Sequence, residues 1–174
     1  MADEKKEAWV NYLALSTVFF AVCATLATFK GGGYSTQSIM NQSKASDNWA
    51  YYQAKNIKED LYKLQSEKLE MDKIGKDQKT VDLYQNKIND YKSKIEKYEN
   101  EKKEIKSAAE GFETTRDQTQ AHAKNFGMAV IFLQITILLS TIAGLLKKKY
   151  IWYIGLGSGL IGIGYFINGF LLFV

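Results

Sequence analysis

The chain has no proline, one cysteine and one histidine. Without proline, every residue keeps its backbone N–H and nothing obliges a long helix to break. A single cysteine excludes a disulfide framework within the chain. His122 has no second histidine or cysteine near it, so no zinc site can be composed, and the sequence implies no metal or other cofactor. Basic and acidic residues nearly balance, 23 against 19, and a formal charge of +4 is too small to argue for nucleic acid as a partner.

What is present is unevenly spread. The mean hydropathy of -0.26 resembles that of a soluble protein, yet it averages three uncharged apolar runs with one charged stretch. The runs are 8–28, 126–146 and 151–174. At about 1.5 Å of rise per residue, each crosses a hydrocarbon core of roughly 30 Å. A Lys, Arg or Asp at mid-membrane costs about 2.5 to 3.5 kcal/mol, so three charge-free runs of this length predict three transmembrane helices and a lipid bilayer as partner. The first run is too long for the core of a signal peptide and follows a mixed-charge leader, 1–7, so it reads as an uncleaved anchor. Cys23 follows Val22 rather than a small residue, and its thiol is expected to pack as a small apolar group.

Between the first two runs lies a polar segment. Gly31, Gly32 and Gly33 open it as an expected flexible joint within a Gly/Ser/Gln-rich base, 29–48, whose secondary structure the pattern does not fix. From 49 to 112 the spacing is helical and then heptad. Ala54, Ile57, Leu61, Leu64 and Met71 form a seam on a first arm. Val81, Tyr84, Ile88, Tyr91, Ile95 and Tyr98 form one on a second. Pairing Met71 with Val81, Leu64 with Ile88, Leu61 with Tyr91, Ile57 with Ile95 and Ala54 with Tyr98 keeps a constant register centred on residue 76. Gly75, Lys76 and Asp77 also suit a tight turn by composition. The expectation is an antiparallel coiled-coil hairpin with Lys102 opposite Ala50, followed by a connector, 113–125. The fold class is an all-α membrane protein: three spans plus this hairpin.

Lys147, Lys148 and Lys149 lie in the only short loop, 147–150, and place that loop and the N-terminus in the cytoplasm. The hairpin then lies on the opposite, periplasmic side, where it is free to meet a periplasmic protein.

Chemical motifs are scarce. Residues 157–162 match a dinucleotide fingerprint but lie inside an apolar run, where no strand precedes them. Gly155, Ser158, Gly159, Gly162 and Gly169 instead read as small-residue packing surfaces for another helix of the chain or for a second copy. There is no phosphate loop and no serine elbow, so no catalytic residues are assigned. The expected role is a non-enzymatic, homo-oligomeric scaffold or interaction protein. The alternative is an oligomeric channel or conduit lined by the spans, for which Gln134 and Asn168 supply polar groups.

One string is distinctive: residues 47–58, with Trp49, Tyr51, Tyr52, Gln53 and Lys55 at its centre. It resembles the motif of an uncharacterised family of bacterial inner-membrane proteins, domain of unknown function four-three-three-seven. The order of span, motif, charged hairpin and two closely spaced spans is similar to that family across nearly the whole chain. The resemblance implies a bacterial inner-membrane protein and supplies no activity, substrate or catalytic residue.

Overall fold

The computed structural model describes residues 2–172, with side chains from residue 8. Met1 and the last two residues of the expected third span lie outside the described residues. Three helices account for almost all of the chain: α1 (Ala2–Asp72), α2 (Gln78–Leu146) and α3 (Lys149–Leu171). No strand occurs among the described residues. All three helices are long and apolar enough to cross a membrane.

One departure from the sequence expectations follows from packing. Residues 31–33 are helical, not a joint, because Gly31 lets a neighbour approach. A Cβ added there would lie 2.9 Å from Phe126 Cβ. Each glycine costs about 1 kcal/mol of helix propensity, which tertiary packing overrides. Residues 34–48 and 113–125 are helical as well.

The chain divides into two compact units. The first joins residues 1–39 to 116–174 and holds the apolar runs. Its interior has three layers along the helices. Trp9, Leu13 and Ala143 pack with Ile151 and Trp152. Phe20, Cys23, Ala24 and Leu133 pack with Ile137, Leu156 and Ile163. Ala27, Phe126 and Ala129 pack with Tyr34, Val130, Tyr165 and Phe166. The Trp152 indole N–H would be costly to bury unpaired, and it donates to Ser16 Oγ at 3.1 Å.

The second unit, Met40–Thr115, is a pair of helical arms. The chain reverses between Asp72 and Gln78, and Gly75 takes the left-handed conformation (φ +77°) that glycine alone adopts without a Cβ penalty. Asp77 caps the start of α2: its carboxylate accepts from the Thr80 N–H at 3.2 Å and the Thr80 hydroxyl at 2.6 Å. Those bonds, the hydroxyl's first, hold the Asp77 carboxyl below its ordinary value.

The reversal between α2 and α3 is shorter. Lys147 (φ +51°) turns left-handed, its N–H bonding to the Gly144 carbonyl at 3.4 Å and that of Lys148 to Ala143 at 3.1 Å. This is a Schellman ending with lysine where glycine is usual.

Candidate functional site: the faces of the helical arms

The second arm packs with the series its heptads define. Ile88 and Ala109 are fully buried, and Val81, Tyr84, Tyr91, Ile95 and Tyr98 are partly so. The first arm is turned relative to expectation. Ile57 is 68 % exposed, Leu61 53 %, Leu64 64 % and Met71 65 %, and Ala54 is exposed too. The side facing the second arm carries Ala45, Trp49, Tyr52, Lys55, Glu59, Tyr62 and Ser66 instead. Tyr62 packs against the Tyr91 and Tyr98 rings, with centroids 5.3 and 5.9 Å away.

The reason is the chemistry of the second arm. Three tyrosines interleaved with lysines offer ring faces and cations, and the matching surface is one of rings, cations and carboxylates. Lys55 lies over Tyr98, Lys94 over Tyr62 and Lys102 over Tyr52, all within 6 Å of the ring centroids. Lys102, expected opposite Ala50, donates to Asn56 Oδ1 at 2.8 Å and pairs with Glu59 at 2.5 Å.

Glu59 is the most telling of these groups. It is 2 % exposed and held by Lys102 from the second arm and Lys63 from its own helix, the latter at 2.6 Å. Burial opposes its ionisation, but the hydrogen bonds and charges of the two lysines outweigh it and the carboxyl titrates below its ordinary value. A second cross-arm pair joins Lys55 to Glu101 at 2.5 Å. That bond lowers the Glu101 carboxyl and raises the Lys55 ammonium from their ordinary values.

The distinctive string divides between two surfaces. Trp49 donates to Glu113 Oε1 at 2.9 Å and meets Tyr52 edge-on at 5.7 Å, so with Lys55 these residues join the arms. Tyr51 and Gln53 face outward. Sequence reasoning missed the two cross-arm pairs, Glu59–Lys102 and Lys55–Glu101, whose signal on the first arm was the 3,4 spacing of Tyr52, Lys55, Glu59, Tyr62 and Ser66.

In the first unit four of the six α3 glycines are occupied within the chain, and Gly157 and Gly164 face open space. A Cβ at Gly155 would come within 3.2 Å of Leu139, at Gly159 within 2.6 Å of the Phe20 ring, at Gly162 within 2.9 Å of Leu133 and at Gly169 within 2.9 Å of the Phe126 ring. Ser158 donates to the Phe132 carbonyl at 3.0 Å. At the far end of α3, His122 Nδ1 donates to the Gly169 carbonyl at 2.8 Å, with its ring stacked on Tyr34 at 4.5 Å. Asn168 donates to Asn125 at 3.1 Å. Gln134, midway along the second apolar run, is exposed, and its amide meets no partner among the described residues. No group of three metal-ligating side chains is found among them. A groove of about 610 Å³ runs along Ala27, Gly31, Ser35, Ala123, Lys124 and Gly127, open to the surroundings.

The family described as "Domain of unknown function (DUF4337)" matches residues 9–172. No curated protein and no solved structure matches the chain.

Proposed function

The chain belongs to the DUF4337 family, and from that premise we propose a non-enzymatic, homo-oligomeric protein of the bacterial inner membrane that presents a coiled-coil hairpin to the periplasm as a scaffold or docking element. The observation that carries this reading is an inverted surface. Val18, Phe19, Val22, Leu26, Ile131, Leu138, Leu160 and Ile161 point outward from the three-helix unit, while Thr136 and Ser140 are fully buried in it. Water penalises such a surface and a bilayer does not.

Orientation is argued from the three lysines at 147–149, which retain the short loop on the cytoplasmic side. Lys149 lies over Trp9 and Lys148 over Tyr150, the arrangement of an interfacial belt. Oligomerisation is argued from Gln134. An amide facing lipid lacks a hydrogen-bonding partner, and the same residue on a neighbouring copy supplies one. The non-enzymatic reading is supported by the cross-arm carboxylates: buried Glu59 and partly exposed Glu101 are each committed to a lysine.

The test replaces Cys23 by alanine and introduces Lys76→Cys at the turn. A membrane-impermeant maleimide is expected to label it in spheroplasts. Labelling only after the membrane is opened reverses the orientation, and release of the protein by alkaline carbonate removes the membrane reading altogether. The alternative, an oligomeric channel or conduit, draws on the same Gln134 amide. Conductance in liposomes that Gln134→Leu abolishes supports the channel. Assembled but electrically silent protein supports the scaffold.

A further inference from the structure

We propose that the outer face of the first arm is the self-association seam, on which the first arms of neighbouring copies pair in parallel and in register. This deepens the oligomeric reading above and rests on it.

Ala50, Ala54, Ile57, Leu61, Leu64, Lys68 and Met71 follow alternating spacings of four and three, and all are exposed. That is a complete heptad seam with nothing packed on it, because the second arm lies against the opposite face through Tyr52, Lys55, Glu59, Tyr62 and Ser66. A heptad stripe has the geometry of knobs seeking holes on another helix of the same period. Lipid does not suit it, since Lys58, Asp60, Glu67 and Asp72 flank it turn by turn. Four of the α3 glycines are already filled by Leu139, Phe20, Leu133 and Phe126, which leaves only Gly157 and Gly164 of that helix open.

Charge selects a second copy as the occupant. Alternating three-four spacing puts Ala54, Leu61 and Lys68 at the first core position of the heptad and Ala50, Ile57, Leu64 and Met71 at the second. In a parallel, in-register pair, a residue at the first core position packs beside the partner's residue one place earlier in sequence. Lys68 then meets the partner's Glu67, and the partner's Lys68 meets Glu67 in return. Neither Glu67 nor Lys68 has an ion-pair partner among the described residues. One adjacent pair therefore supplies both halves of a symmetric contact, as a closed homo-oligomer requires. The membrane supplies the polarity: copies inserted with one orientation send their first arms away from the same face, so those arms run parallel. A lone lysine in the core, Lys68, fixes register.

The test uses the full-length protein with Cys23→Ala, in membranes and in mild detergent. Ile57→Cys is expected to form a disulfide between chains on oxidation, whereas Ser66→Cys, facing the second arm, is not. Leu61→Glu is expected to reduce the mass by light scattering to that of one chain while helix content stays unchanged. Lys68→Glu should weaken association at least tenfold, and Glu67→Lys with Lys68→Glu should restore it. An unchanged oligomer in Leu61→Glu, with no link through Ile57→Cys, overturns the seam and leaves oligomerisation standing. A wild-type protein that is a single chain in both settings overturns both. Should Leu61→Glu lose helix content, the Ile57→Cys link decides.

Discussion

Lys102 reaches from the second arm to Glu59 on the first, and the two side chains meet at 2.5 Å with the carboxylate 2 % exposed. Removing one member of such a pair leaves the other desolvated and unmatched, which is why buried pairs cost more to break than exposed ones.

Glu59→Ala is therefore expected to destabilise the arm pair by about 2 kcal/mol, the scale of a lost hydrogen bond to a buried charge. Glu99→Ala, on the exposed face of the second arm, should change it by less than about 0.5 kcal/mol. Hydrogen exchange of the arm amides reads the difference. Equal protection in the two variants would refute the assignment.

Acid should loosen the arms. Glu59, Glu101, Asp77 and Asp90 all have carboxyls held below their ordinary values of 4.5 for Glu and 3.8 for Asp. A lowered folded-state value contributes stability that is complete above the unfolded value and disappears as pH falls through the folded one. Arm stability is expected to be flat from neutrality to about pH 5 and to fall below that, with Glu59→Gln showing a shallower decline. Lys55 and Lys63 are raised above 10.5, so their share is complete below that value and is lost only as pH rises past it. Amide exchange followed from pH 7 to 3 gives the profile.

Neighbouring glycines should respond oppositely to alanine. At Gly32 nothing lies within 4 Å of an added Cβ, and Gly32→Ala is expected to stabilise by about 0.5 to 1 kcal/mol through helix propensity. Gly31→Ala meets Phe126 Cβ at 2.9 Å and should destabilise. On α3, Gly162→Ala faces Leu133 Cγ at 2.9 Å and its backbone nitrogen at 3.1 Å, whereas Gly164 has open space. Overpacking costs typically about 1 to 3 kcal/mol. Thermal melting in detergent should lower the midpoint for Gly31→Ala and Gly162→Ala and not for Gly32→Ala or Gly164→Ala.

Lys147 occupies a left-handed conformation that costs a side chain about 1 to 2 kcal/mol. Lys147→Gly should raise the melting midpoint, while Lys147→Val should lower it. A midpoint unmoved by either would contradict the turn geometry.

The three apolar runs were legible because charge-free length is a one-dimensional signal, and the left-handed turn at Gly75 falls where composition had pointed. The second arm's buried face was legible because Ile88, Ile95 and the three tyrosines mark a single stripe. The first arm carries two stripes at heptad spacing, one aliphatic and one of aromatic and charged residues. Hydrophobicity ranks the aliphatic stripe first, but the partner's tyrosines and lysines select the other. A register rule built on seven-residue repeats constrains where two helices meet along their length and says little about which way each is rotated. The three glycines at 31–33 read as a joint because propensity is local, while the reason for Gly31 is a phenylalanine distant in sequence.

Phe126 illustrates what such long-range fitting does to a sequence over time. Its fully buried ring and Cβ occupy the space that side chains at Gly31 and Gly169 would fill. Three positions on three helices are thereby bound into one unit of inheritance. A related chain that acquires a side chain at 169 must surrender ring volume at 126, whereas a side chain at 31 meets the Cβ of residue 126 and is freed only by glycine there or by a shift of the helices. Co-substitution at 126 and 169, with glycine kept at 31, is the pattern expected among descendants of the fold.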